Sequence, residues 1–417
     1  MTARGAPALR WLGAVGVVGL YLRLLAIGDY AVTIGGMIAA AVLLLSLRRV
    51  APSLLPLAVA ALLLLWPLLV FAGASLIGAA LLPAAETFLR SYALWAGSVT
   101  LITLAFVSRS PVQLHGAFAV ALLVLGVAAA QLLLVGVADS RAGFALVAPL
   151  LGVDLDHGYL QVASGWSARA IGLYYEPSMC GRVLGTLAFV DLIRHRRPAR
   201  VAAVLLLALL LTRSLGLVVL VVALGAVLLG RSLRDLLALA LVCLAIVALQ
   251  GDEIVARLGG GRLQQADSSA ARRTVAPLVP LSQALAQNPA GIPVGANEHL
   301  AETSGYRRRT GETKITNGIY EAMLYLGVLG VAALGVALTA VAWLVGTGQR
   351  ERGAALLYLL LSTALSGSFL AIESSLLTYF FVVACLAEHR RRYGHAPPPL
   401  RLVQPPPVRR PAWRTAG

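Results

Sequence analysis

The chain has 417 residues, 59% of them hydrophobic and 12% charged, with a formal net charge of +16. Soluble globular proteins carry about 25% charged residues, so a chain with half that fraction is not an ordinary water-soluble domain. The positive charge is dispersed over short connections and forms no single basic domain, which excludes a nucleic-acid-binding protein.

Uncharged apolar windows such as 55–82, 114–137 and 318–346 are long enough to cross the hydrocarbon of a bilayer, which takes about 20 residues of helix. The expected fold is an all-α polytopic membrane protein of about 12 transmembrane helices. In chain order the predicted spans are 11–28, 31–47, 53–75, 91–108, 114–137, 172–193, 200–212, 214–230, 235–250, 318–346, 354–366 and 369–387. The first follows Arg4 and Arg10 like a signal peptide but lacks a small-x-small cleavage site, so it reads as a retained helix. Residues 1–387 then form one transmembrane domain.

Basic residues mark every second connection: Arg48/Arg49, Arg109, RHRRPAR (194–200), Arg231/Arg234, Arg350/Arg352 and Arg390–Arg392. The positive-inside rule puts these on the cytoplasmic side with both termini. The exception on the other side is 251–317, a large extracytoplasmic loop with eight basic and six acidic residues. Residues 388–417 are an Arg- and Pro-rich cytoplasmic tail suited to lying near anionic lipid. Cys180, Cys243 and Cys385 fall in apolar segments with neither disulfide nor metal spacing, and no phosphate loop or GxGxxG unit occurs.

Ionisable groups inside spans are costly and usually face protein or a water-filled cavity. In GLYYEPSMCGR (172–182), Pro177 suits the first turn of a helix, which places Glu176 at the positive N-terminus. Arg182 is six positions on and faces elsewhere. Arg213 lies at the predicted outer end of two short spans. In the large loop, Arg272/Arg273 precede an amphipathic helix with Val275, Leu278, Leu281 and Leu285 at helical spacing. Paired guanidiniums can grip a pyrophosphate bidentately, while a solvated surface is the plainer alternative, above all for Arg307–Arg309. Arg23 and Glu373 read as structural.

Four stretches together resemble the O-antigen polymerase/ligase family of integral membrane glycosyltransferases. They are Arg169-x-x-Gly…Glu176-Pro177-Ser178, Thr212-Arg213-Ser214-Leu215-Gly216, Arg272/Arg273 with Asn288-Pro289 and Gly295, and Thr316-Asn317-Gly318-Ile319-Tyr320-Glu321 running into Leu326-Gly327. Thr316 stands where ligases of the family carry histidine, which favours a polymerase.

The resemblance implies a polymerase-type glycosyltransferase that joins undecaprenyl-pyrophosphate-linked repeat units into exopolysaccharide, capsule or O-antigen at the outer face of a bacterial plasma membrane. A ligase acting on a lipid A core is the alternative. A flippase is a further one, less favoured because no internal repeat is visible. Glu176, Arg169, Arg272 and Arg273 are the implied catalytic set. Arg213, Asn317, Tyr320 and Glu321 are the implied substrate-binding set, with Glu321 as second choice for the base. Neither metal nor cofactor is expected. The implied partners are lipid-linked oligosaccharide, membrane lipid and, optionally, a chain-length regulator.

Overall fold

The computed structural model describes residues 7–27, 30–47, 53–108, 116–138, 169–174, 176–214, 275–365 and 370–393. Single positions at 145, 148, 217, 220, 221, 225, 237, 244 and 368 are described as well. Most of the predicted spans 214–230 and 235–250, most of the connection 138–171, loop residues 251–274 and the tail beyond 393 lie outside these residues.

The described chain is predominantly helical. Helix α1 (Pro7–Val18) ends in a 3-10 turn (Gly19–Tyr21), and α2 spans Ile34–Leu47. Between them β1 (Arg23–Ile27) and β2 (Tyr30–Thr33) pair antiparallel. The helical expectation holds for most of the described chain, but the first predicted span, 11–28, does not run as one helix. Arg23–Ile27 is as apolar as a span, so hydropathy extended that helix through residues that pair as a strand.

Among the described residues, five helices are long and apolar enough to cross a membrane. They belong to α3 (Leu54–Leu76), α4 (Ala85–Val107), α5 (Ala117–Ala138), α12 (Val328–Gly346) and α14 (Ile372–Tyr393). On α3, Leu55, Leu62, Leu65 and Leu69 are all more than half exposed. A soluble monomer does not present such a face.

Helix α6 (Pro177–His195) is the centre of the bundle, and α7 (Pro198–Thr212) packs along it. Positions from Val183 to Leu192 on α6 are buried without interruption, as befits a helix surrounded on all sides. Asp191, within that stretch, therefore meets protein, not lipid. Asp191 accepts from His195 at 2.7 Å and lies 4.0 Å from Arg200. Around it pack α1, α5, α13 (Arg350–Leu365) and α14.

A second core is built on α3 and α4 by the chain from 275 to 327. This cap holds α8 (Leu278–Gln287), the short helices α9 (Asn297–Thr303) and α10 (Tyr306–Thr310), and α11 (Gly318–Leu326). In α8 the buried face is Leu281 with Ala284, whereas Val275 and Leu278 are exposed. The predicted span 318–346 is broken at Gly327, which separates α11 from α12.

Backbone packing causes the break. Val328 N–H donates to the Pro289 carbonyl at 2.9 Å and Ile292 N–H to the Leu324 carbonyl at 2.8 Å. A Cβ at Gly327, where φ is +60°, would lie 2.1 Å from the Pro289 oxygen, and one at Gly291 would lie 2.6 Å from the Tyr325 oxygen. Only glycine permits so close an approach at positive φ. Trp66 adds a tie from α3, donating from Nε1 to the Ala290 carbonyl at 3.0 Å.

Candidate active site

The residues that stand out in the sequence gather at one end of the bundle, in two clusters. In the first, Glu176 is the N-cap of α6 and Pro177 its first residue. The Glu176 carboxylate makes no capping bond to the backbone; it accepts from Ser178 Oγ at 2.8 Å. Just upstream, Arg169 donates from Nε to the Thr212 carbonyl at 3.2 Å and from Nη2 to the Arg213 carbonyl at 3.1 Å. Ala170 N–H reinforces this contact by donating to the Leu211 carbonyl at 2.9 Å. A cation on the last carbonyls of α7 matches their partial negative charge. The motifs around Arg169 and Arg213 therefore meet physically, although they lie on different segments.

Arg213 caps α7 with φ +48°, in the left-handed region, a geometry that favours glycine. Arg182, on α6, donates to Ser374 Oγ at 3.3 Å. Its carbonyl accepts from the Tyr358 hydroxyl at 2.9 Å. The ring of Tyr21 meets Tyr174 edge-on at 5.9 Å. Both phenols are buried, and neither hydroxyl makes a hydrogen bond among the described residues. Buried polar groups left in this way call for a functional or structural reason.

The second cluster centres on Glu321 in α11. Its side chain is 2% exposed. Oε1 accepts from Asn297 Nδ2 at 3.3 Å and from the Tyr325 hydroxyl at 3.2 Å, and Oε2 accepts from Ser368 Oγ at 2.8 Å. Asn297 also exchanges two bonds with the Ile315 backbone, both 3.0 Å. Asn317 is the N-cap of α11; its Oδ1 accepts from Ile319 N–H and Tyr320 N–H, each at 3.1 Å. That cap explains an asparagine before the helix. Tyr320 is half-buried on the first turn.

The turn into α14 joins the clusters. Ser368 reaches Glu321, Ser374 reaches Arg182, and Ser375 Oγ donates to Ser98 Oγ on α4 at 2.6 Å. These serines were not legible as site residues, because serine alone carries no signature. Tyr174 was closer to hand, lying inside GLYYEP. Arg272 and Arg273 lie outside the described residues. Arg307, in the basic run, pairs with Glu302 on an exposed surface. Among the described residues no group of His, Cys, Asp and Glu could hold a metal ion.

Long lipid-suited helices around a buried central helix, with charged groups gathered at one end, define a helical membrane protein with an internal polar site. The chain belongs to the WcaD colanic acid polymerase family, whose family model matches residues 8–387. That makes it a Wzy-type polymerase of polysaccharide repeat units, a glycosyltransferase-type enzyme of exopolysaccharide synthesis. No curated protein and no solved structure matches the chain.

Proposed function

We propose that the enzyme joins oligosaccharide repeat units carried on undecaprenyl pyrophosphate, at the outer face of a bacterial plasma membrane. The observation that carries this reading is the convergence of Glu176, Arg169, Arg213 and the Glu321 cluster at one end of a membrane bundle whose family polymerises repeat units. Positive-inside alternation makes that end extracytoplasmic. A lipid-linked substrate in the outer leaflet reaches it there.

In the reaction an acceptor sugar hydroxyl attacks the anomeric carbon of the donor. The new C–O bond forms as the bond from that carbon to the phosphate oxygen breaks. Glu176, half-buried beside the Ser178 hydroxyl, takes the acceptor proton. Undecaprenyl pyrophosphate leaves with the electron pair, and guanidiniums stabilise the developing charge. Arg272, Arg273 and Arg213 fill that role. Arg169, engaged on two carbonyls, acts as a positioning residue for the α7 end.

Glu321 is enclosed by its donors and suits holding the cap in register better than touching substrate. The α14 turn relays that register to Arg182.

The test is the lipid-linked pool of a deletion strain. Single repeat units accumulating on the carrier are the expected result. Full-length chains on the carrier would mean a ligase, and intermediates trapped on the cytoplasmic side a flippase.

A further inference from the structure

A cavity of about 850 Å³ opens at the other end of the bundle, away from Glu176. Its polar lining is Arg196, Arg350 and Arg352 with His389, accompanied by Glu351 and Glu388. The apolar lining includes Ile193, Leu359, Phe381 and Val382. The charged groups sit at or beyond the ends of α6, α13 and α14 on this side. Leu359 lies two turns inside α13 from Arg352, and Val382 two turns inside α14 from His389, each about 10 Å deeper at 1.5 Å per residue. The lining therefore changes from cationic at the rim to hydrocarbon-like at the floor.

We propose that this cavity binds an anionic phospholipid, its phosphate at the arginine rim and an acyl chain on the apolar floor. Three guanidiniums against two carboxylates leave the rim cationic. Arginine presents a planar fork that matches phosphate oxygens. Arg352 Nη2 donates to His389 Nδ1 at 3.1 Å, so polar groups of α13 and α14 meet at the rim. An inorganic phosphate or a nucleotide would satisfy the rim alone and leave the floor unfilled. An uncharged lipid would fill the floor and leave the rim unmatched. Only an amphiphile with an anionic head uses both. The site rests on the topology proposed above, in which this end faces the cytoplasm, where basic pockets between spans meet anionic headgroups.

The experiment uses the full chain purified in mild detergent. It is incubated with mixed micelles of phosphatidylglycerol or of phosphatidylcholine, and retained lipid is quantified by mass spectrometry. Preferential retention of phosphatidylglycerol is expected, undiminished by millimolar inorganic phosphate. Arg196→Gln with Arg352→Gln should lower retention by roughly five-fold per arginine, the scale of one basic residue near an anionic surface. Leu359→Trp, which keeps every charge and fills the floor, should lower it too, and serves if the double variant folds poorly. Equal retention of the two lipids overturns the proposal. So does full displacement by inorganic phosphate, or unchanged retention in Leu359→Trp. Retention is read without turnover, so a chain that fails to polymerise repeat units but keeps phosphatidylglycerol separates this proposal from the polymerase reading.

Discussion

The guanidinium of Arg169 rests on the backbone carbonyl of Arg213, 3.1 Å from Nη2 to oxygen, and so joins the segment before α6 to the end of α7. Two arginines meet through the carbonyl of one of them, which is how like charges can share a small volume. The side chain of Arg213 and its backbone thus have separable duties.

That separation can be measured. Glycine adopts the left-handed conformation of Arg213 without steric cost, so Arg213→Gly should keep protein levels at or above those of the parent. If the side chain serves substrate, polymer yield should still fall by about ten-fold, the effect of losing roughly 1.4 kcal/mol of transition-state binding. Normal polymer from Arg213→Gly would reduce Arg213 to a helix cap.

Glu176→Gln should preserve folding, since the amide oxygen can still accept from Ser178. A base contributes about 10²–10⁴-fold, so the rate of joining lipid-linked repeat units in a reconstituted assay should drop on that scale. A well-expressed variant of parental rate would return Glu176 to the role of a helix start.

Glu321 is expected to behave oppositely. Glu321→Ala strands the donors of Asn297, Tyr325 and Ser368 in a buried place, at about 1–3 kcal/mol for each unsatisfied group. The detergent-solubilised chain should therefore unfold at markedly lower temperature. Glu321→Gln keeps an acceptor on one side and a group able to meet the Ser368 hydroxyl on the other, so it should be milder in stability and retain activity. Abolished activity at unchanged thermal stability would instead make Glu321 the base.

Gly327→Ala should be among the most damaging small substitutions, because its Cβ would lie 2.1 Å from a carbonyl oxygen that cannot retreat. Loss of the folded protein, read as proteolysis of the 275–327 cap, is the expected outcome. Gly335→Ala in α12, where a Cβ meets nothing within 4 Å, should be neutral or stabilising by about 0.5–1 kcal/mol. Equal behaviour of the two would mean that the cap does not press on Gly327.

The membrane character and the start of α6 were legible in the sequence for simple reasons. Apolar length reports a solvent, and proline after an acid reports a first helical turn. The hairpin at 23–33 was hidden because hydropathy does not distinguish a strand from a helix of equal greasiness. The break at Gly327 was hidden because it is made by backbone from residue 289, which no window around 327 contains. Part of the site was legible as motifs, but their meeting was not: Arg169 and Arg213 are 44 residues apart, and Arg182 and Ser374 are 192 apart. Asn317 and Arg169 read as ligand groups; asparagine before a helix is also an N-cap signal, whereas the carbonyls that occupy Arg169 come from residues 212 and 213 and have no local signature.

The buried stretch of α6 bears on the order in which the chain can be assembled. Synthesis delivers Arg182 to the bilayer long before Tyr358 and Ser374, which follow it by 176 and 192 residues. Asp191 has no such wait, because His195 and Arg200 emerge directly after it. A nascent chain ending after α12 would carry every apolar span described up to that point and still leave Arg182 without the two helices that cover it. Arrival of α13 and α14 is therefore the step that converts a set of inserted helices into a sealed polar interior, and a chain lost before that step would present quality-control proteases with an arginine facing lipid.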